Sequence, residues 1–145
     1  MANREQWLDL ARRCEKARGP DREIDRAIFD LANPGEWRPR APGARTKWCY
    51  SAKTGFVMLR SKRGYPALTY SLDAAVALIE KSMPDTALEC HKMGSAACVI
   101  LFRCDATGWH DPSYGRFSAE AVSLPLALCA AYCAARAGIE EGCAI

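Results

Sequence analysis

Residues 96–102 form an apolar run, AACVILF, that constrains the fold more than any other part of the sequence. In a β-strand successive side chains point to opposite faces, so this strand would be apolar on both faces. Strands of this kind are typical of sheets that are covered by helices on both sides. The run therefore predicts a layered fold that contains both helices and a sheet.

The rest of the sequence supplies helix and strand patterns for such layers. Apolar residues recur at helical spacing in four segments, and short alternating or apolar runs predict two hairpins and one further strand. The predicted helices are residues 4–18, 21–31, 71–82 and 123–137. Trp7 and Cys14 lie on the apolar face of the first, and Asp21 caps the second. Ser71 caps the third, which has Leu72 on its buried face, and Gly138 ends the fourth. The predicted strands are 47–51, 55–60, 86–92, 95–104 and 116–122, and residues 33–46 are predicted to be a loop or an irregular edge.

Two hairpins favour an antiparallel sheet. The order of elements then predicts an α+β fold, a three-layer α-β-α sandwich with a mainly antiparallel sheet, in a single domain over residues 1–145. The last helix is apolar nearly all round, so we expect it to be buried or to pack on a partner.

Several protein classes are disfavoured by the sequence. The longest stretch without a charged residue, 121–135, has 15 residues, which is too short to span a membrane. The first 13 residues hold no apolar signal region, so a cytoplasmic location in the host cell is expected. In that compartment the eight cysteines are expected to be free thiols. Cys129 and Cys133 are predicted to be small core residues of the last helix.

Metal and catalytic sites are weakly indicated. The spacing of five possible ligands, Cys90, His91, Cys98, Cys104 and His110, matches no paired zinc motif. Cys90 and His91 are neighbours on a predicted strand and point to opposite faces, so they cannot pair. Cys104 with His110 stays open as a pair without further support. No cofactor, no metal and no enzymatic activity are therefore predicted.

Residues 37–70, which we call the basic segment, hold eight Lys or Arg residues and no Asp or Glu. The preceding part of the chain has a net charge of −1 and the following part −4. Aromatic residues alternate with the basic ones, and such a pattern suits an anionic partner because cations neutralise phosphate and rings stack on bases. The candidate binding residues are Arg38, Arg40, Arg45, Lys47, Trp48, Lys53, Arg60, Lys62 and Arg63.

A second interpretation of the basic segment stays open at this point. The aromatic residues would then form the core of a hairpin, and the charges would be its solvated face. Trp109 and His110, in a polar loop, form a second candidate surface patch.

Three segments resemble small phage and prophage proteins of the phage ABA sandwich type, many of them from alphaproteobacteria. They are residues 8–31, which contain EKARGPDREID, residues 68–79, LTYSLDAAVALI, and residues 124–131, LPLALCAA. The resemblance implies the layered fold and the context of a phage accessory gene, and it implies no catalytic motif.

Small phage accessory proteins often act by binding, so the resemblance adds a functional expectation. It implies a non-enzymatic protein that binds and inhibits a host component, an antiviral defence factor such as a CRISPR effector being the first candidate. The expected partner is a host protein or ribonucleoprotein complex, with nucleic acid or a nucleotide as further candidates and no membrane. The alternative is a nucleic-acid-binding module of phage metabolism or regulation.

Overall fold

The structure is a computed structural model. It describes residues 4–32, 37–39, 48–51, 57–59, 66–103 and 116–140. The described elements follow in the order α1 (Arg4–Lys16), α2 (Arg22–Ala32), β1 (Trp37–Pro39), β2 (Trp48–Ser51), β3 (Val57–Leu59), α3 (Leu72–Ser82), β4 (Thr86–Met93), β5 (Ala96–Arg103), β6 (Arg116–Ala121) and α4 (Leu124–Glu140). The predicted α+β class is thereby confirmed.

The strands form two antiparallel three-stranded sheets, β1-β2-β3 and β4-β5-β6. Both predicted hairpins, β2–β3 and β4–β5, are present. The turn of the second hairpin contains Gly94 with φ +61°, a conformation that glycine adopts without steric cost. The predicted irregular edge contains the short strand β1, which pairs with β2.

Helix α4 packs on one face of the β4-β5-β6 sheet. Ala97, Val99 and Leu101 of β5 are buried, and Leu101 lies opposite Phe117 of β6 in the ladder. Residues opposite each other in an antiparallel pair share a face. A Cβ atom at Gly138 of α4 would lie 2.7 Å from Phe117 Cζ, so the helix approaches this face closely.

The alternate residues of β5 lie on the other face of the sheet. Cys98, Ile100 and Phe102 are half-buried there, not fully buried as the apolar run suggested. Within the described residues, α4 packs on β5 and β6 of this sheet, and α1 makes a smaller contact with β6. The three-layer sandwich is therefore not confirmed.

Helix α4 is also covered by α1 and α3. Its residues from Leu126 to Cys133 are all buried, which confirms the expectation for this helix and for Cys129 and Cys133. The predicted end of the helix at Gly138 is wrong, since α4 continues to Glu140. Gly138 serves close packing on Phe117 and does not end the helix.

The amphipathic pattern of the other helices is largely confirmed. The apolar face predicted for α1, from Trp7 to Cys14, is buried. Ser71 accepts the Ala74 N–H at 3.2 Å and caps α3 as predicted. The prediction that Leu72 lies on the buried face of α3 is wrong, because this first residue of the helix is 36% exposed. Within the described ranges, none of the helices combines the length and hydropathy needed to cross a bilayer.

Candidate functional site

The structure describes two of the nine candidate residues of the basic segment. Arg38 lies on β1 opposite Tyr50 of β2, and Trp48 lies on β2 opposite Leu59 of β3. The basic and aromatic positions of this part of the segment are thus brought together in one small sheet. The remaining candidates lie outside the described residues: Arg40, Arg45, Lys47, Lys53, Arg60, Lys62 and Arg63, and also Trp109 and His110 of the second patch.

The turn at residues 66–70 ends the basic segment and leads into α3. The turn is closed by backbone hydrogen bonds, including that from the Tyr70 N–H to the Ala67 carbonyl at 3.1 Å. Leu68 and Thr69 within it are buried. The Cys129 thiol of α4 donates to the Leu68 carbonyl at 3.3 Å. The end of the segment is therefore fixed to the helical part of the molecule.

A buried carboxylate attaches the same turn to α2. Asp25 is fully buried, and its Oδ1 accepts the Thr69 N–H at 2.7 Å. Its Oδ2 accepts from Arg22 Nη1 at 2.9 Å. Because both oxygens have a partner, the cost of removing this carboxylate from water is offset.

Asp21 strengthens the same connection. Its N–H donates to Thr69 Oγ1 at 2.8 Å, and the Thr69 hydroxyl is 3.2 Å from the Asp21 carbonyl, to which it donates. The Asp21 side chain also caps α2 as the sequence indicates, accepting the Glu23 N–H at 2.8 Å. We call Asp21, Asp25 and Thr69 the Asp25 anchor.

Tyr70 lies immediately beside the Asp25 anchor and points into solvent, with 73% of its surface exposed. It is the aromatic residue at the C-terminal end of the basic segment. Leu72, two residues later, is also exposed. At this position the interpretation of the segment's aromatics as hairpin core does not hold, since the Tyr70 ring is exposed.

Three thiols lie in the core between α1 and α4. Cys14, Cys129 and Cys133 are buried, and all three are free. Burial raises the pKa of Cys129 and Cys133 well above the ordinary value, and a hydrogen bond with Cys14 raises that of Cys133 further. A thiol with a raised pKa is a poor nucleophile at neutral pH, so Cys129 and Cys133 are part of the packing.

Strand β4 carries Cys90 and His91, and the neighbouring strand β5 carries Cys98. Cys90 lies opposite Val99, and His91 lies opposite Cys98, so Cys90 and His91 are on opposite faces as predicted. His91 Nε2 is 3.5 Å from Glu89 Oε2. Sequence reasoning missed that the ladder places His91 beside Cys98. In the part of the chain that the structure describes, no three Cys, His, Asp or Glu residues are grouped for a metal ion.

A second buried polar group, which we call the Trp7 stack, consists of Trp7, Tyr132 and Arg136. The Trp7 and Tyr132 rings meet edge to face, with centroids 5.8 Å apart. Arg136 Cζ lies 5.2 Å from the centre of the Trp7 ring. Tyr132 donates its hydroxyl hydrogen to Ser82 Oγ at 3.1 Å. The sequence predicts Trp7 as a core residue, but it gives no signal for the contact with Arg136.

A comparison with known proteins finds no family model, no curated protein and no solved structure that matches the chain. The resemblance to phage proteins thus remains an expectation from the sequence.

Proposed function

We propose that the protein is a non-enzymatic binding protein whose working surface is the basic segment. The segregation of charge supports this proposal: eight cations and no acid lie in residues 37–70. Like charges in one segment repel each other, and pairing them with surface acids elsewhere in the fold yields only about 0–1 kcal/mol per pair. An anionic partner gives these cations a role that folding alone does not.

The partner in this proposal is a host protein or ribonucleoprotein complex, and binding inhibits it. In keeping with the resemblance to phage accessory proteins, an antiviral defence factor in the host cytoplasm is the first candidate. Burial raises the pKa of Cys129 and Cys133 and disfavours their thiolate forms, so neither is proposed as a catalytic nucleophile.

A nucleic-acid-binding module is the second candidate function, and one observation favours it. The exposed ring of Tyr70 lies at the end of the basic segment, where a base would stack on it. Stacking of a base on an aromatic side chain is worth about 1–3 kcal/mol.

The proposal also includes the three-layer sandwich that the sequence predicts. Cys98, Ile100 and Phe102 form an apolar row along the second face of the central strand, and they are only half-buried. A layer of further chain or of a partner over this row would complete the arrangement that the sequence predicts.

The test reverses the charge of Arg60, Lys62 and Arg63 together to Glu. The protein is immobilised, host proteins are captured from a lysate, and bound species are identified by mass spectrometry. We expect the triple variant to melt near the wild-type temperature and to lose at least about 3 kcal/mol of binding free energy, since each charge-assisted contact is worth roughly 1.5–3 kcal/mol.

The matched control reverses Arg12, Arg13 and Arg18, three exposed cations outside the basic segment. This control should bind as the wild type does. Full binding by the Arg60/Lys62/Arg63 variant, or equal loss in both triple variants, would contradict the proposal.

A labelled single-stranded oligonucleotide distinguishes the two candidate functions. Phosphate contacts make the logarithm of the binding constant fall steeply with the logarithm of the salt concentration. If nucleic acid is the partner, Tyr70→Ala should weaken oligonucleotide binding by about 1–3 kcal/mol while stability changes by less than about 0.5 kcal/mol. A protein partner predicts weak oligonucleotide binding that Tyr70→Ala leaves unchanged.

A further inference from the structure

The Trp7 stack contains two buried hydrogen-bond donors that meet no acceptor. Trp7 is fully buried, and within the described part of the molecule neither its Nε1 nor Arg136 Nε has a hydrogen-bond partner. Buried donors of this kind are rare in folded proteins, because losing water without gaining an acceptor is unfavourable.

The two donors belong to one place in the fold. Arg136 Cζ is 5.2 Å from the centre of the Trp7 ring, so the guanidinium lies over the indole whose N–H is unmatched. The nearby Tyr132 hydroxyl is engaged with Ser82 Oγ. The two unmatched donors, one on α1 and one on α4, are therefore neighbours in the fold.

Arg136 supplies a positive charge at this place. Arg136 is the only Lys or Arg residue of α4. Neither an arginine nor an indole N–H can accept a hydrogen bond, so both require an oxygen acceptor from elsewhere.

We propose that the Trp7 stack is a binding site for an oxyanion, namely a carboxylate or phosphate oxygen of a ligand. The oxygen accepts from Trp7 Nε1 and Arg136 Nε, and the guanidinium supplies the opposite charge. Arg136 as a whole is only half-buried, so an anion would approach the indole N–H from the side of the guanidinium. This site is independent of the basic segment and of the function proposed for it.

The proposal is tested by nuclear magnetic resonance on the uniformly ¹⁵N-labelled protein. The indole N–H signal of Trp7 is assigned as the one of four tryptophan signals that disappears in Trp7→Phe. Sodium phosphate and sodium acetate are titrated separately, with sodium chloride holding the ionic strength constant. We expect a saturable shift of the Trp7 indole signal with one or both of these anions. The anion that gives the saturable shift, whether phosphate, acetate or both, identifies the oxyanion class that the site accepts.

Three variants connect the shift to the geometry. Arg136→Gln should abolish the saturable shift. Arg136→Lys, which keeps the positive charge but lacks the Nε donor, should weaken it by about tenfold or more. Arg116→Gln, at an exposed cation on β6, should bind as the wild type does.

The proposal is overturned by a Trp7 signal that does not shift saturably with either anion. It is also overturned by a shift that sodium chloride reproduces, or by one that persists in Arg136→Gln. Because Arg136→Lys retains the charge and most of the side-chain length, it gives a decisive result even if Arg136→Gln does not fold.

Discussion

The Asp25 anchor and the Trp7 stack each bury polar groups at helix contacts, but they differ in how those groups are matched. At Asp25 both carboxylate oxygens accept a hydrogen bond, one from the Thr69 backbone and one from Arg22. At the Trp7 stack two donors lie together without an acceptor. The difference teaches that burial of a polar residue is not by itself a measure of its contribution to stability.

The largest effect is expected at the anchor. Asp25→Ala leaves the buried Thr69 N–H without its acceptor and removes the partner of Arg22. We expect the free energy of unfolding to fall by about 2–4 kcal/mol, measured by urea denaturation. Asp9→Ala, at an exposed carboxylate on α1, serves as the control and should change it by less than about 0.5 kcal/mol. A loss below about 1 kcal/mol in Asp25→Ala would remove the contrast.

The next effect concerns the thiols that pack beside the Trp7 stack. Burial raises the pKa of Cys129 and Cys133 in the folded protein above 9.0, the ordinary value for these thiols. As pH rises past 9.0 the unfolded chain loses these protons and the folded protein keeps them. The unfolded state then binds fewer protons, so stability falls with rising pH, by up to about 1.4 kcal/mol per pH unit for each thiol.

Urea denaturation between pH 8 and pH 10.5 checks this expectation. The double variant Cys129→Ala/Cys133→Ala should have a flatter dependence on pH, whereas Cys98→Ala, which leaves both buried thiols in place, should keep the wild-type slope. Equal slopes in all three proteins would show that these thiols do not make the contact between α1 and α4 sensitive to alkali.

A smaller effect is expected for Tyr132, the donor of the Trp7 stack whose acceptor is Ser82 Oγ. Tyr132→Phe removes the hydrogen bond to Ser82 Oγ, which connects α4 to α3. We expect a loss of about 0.5–1.5 kcal/mol. Ser82→Ala should cost a similar amount, and the double variant should cost less than the sum of the two single variants. Strict additivity would mean that the two hydroxyls do not interact.

The smallest effect is expected for Arg136→Met. This change keeps much of the apolar contact with Trp7 but removes the unmatched Nε donor and the interaction between the guanidinium and the ring. Losing that interaction costs about 0.5–1 kcal/mol, and removing a buried donor without an acceptor acts in the opposite direction. The free energy of unfolding should therefore change by less than about 1 kcal/mol. A loss as large as that of Asp25→Ala would mean that Arg136 is matched after all.

The sequence predicts the helices and hairpins well because their signals are local. Apolar spacing places Trp7 on the buried face of α1, and Ser71 is recognisable as the cap of α3. The end of α4 is different, since Gly138 is typical of a helix end but here permits contact with Phe117. Only the distant strand β6 decides between these two roles.

The candidate site is predictable in its composition but not in its attachments. The basic segment is evident from charge alone. Asp25, however, resembles an ordinary acid in the first turns of a helix, and its partner Thr69 is 44 positions away. A pairing at that distance depends on how α2 meets the turn at residues 66–70, and no local pattern encodes it. The same holds for the contact between Trp7 and Arg136.

The Asp25 anchor also closes a loop in the chain. Its contacts join α2 to Thr69, and the basic segment up to Thr69 lies within the enclosed stretch. Closing a loop restricts the conformations of the chain between its ends. The entropy of that restriction is lost when the protein folds, so it does not have to be lost again when a partner binds. Under the function proposed above, Asp25 favours binding by preorganising a segment that it helps to hold at one end. A residue without access to the partner would in this way influence affinity.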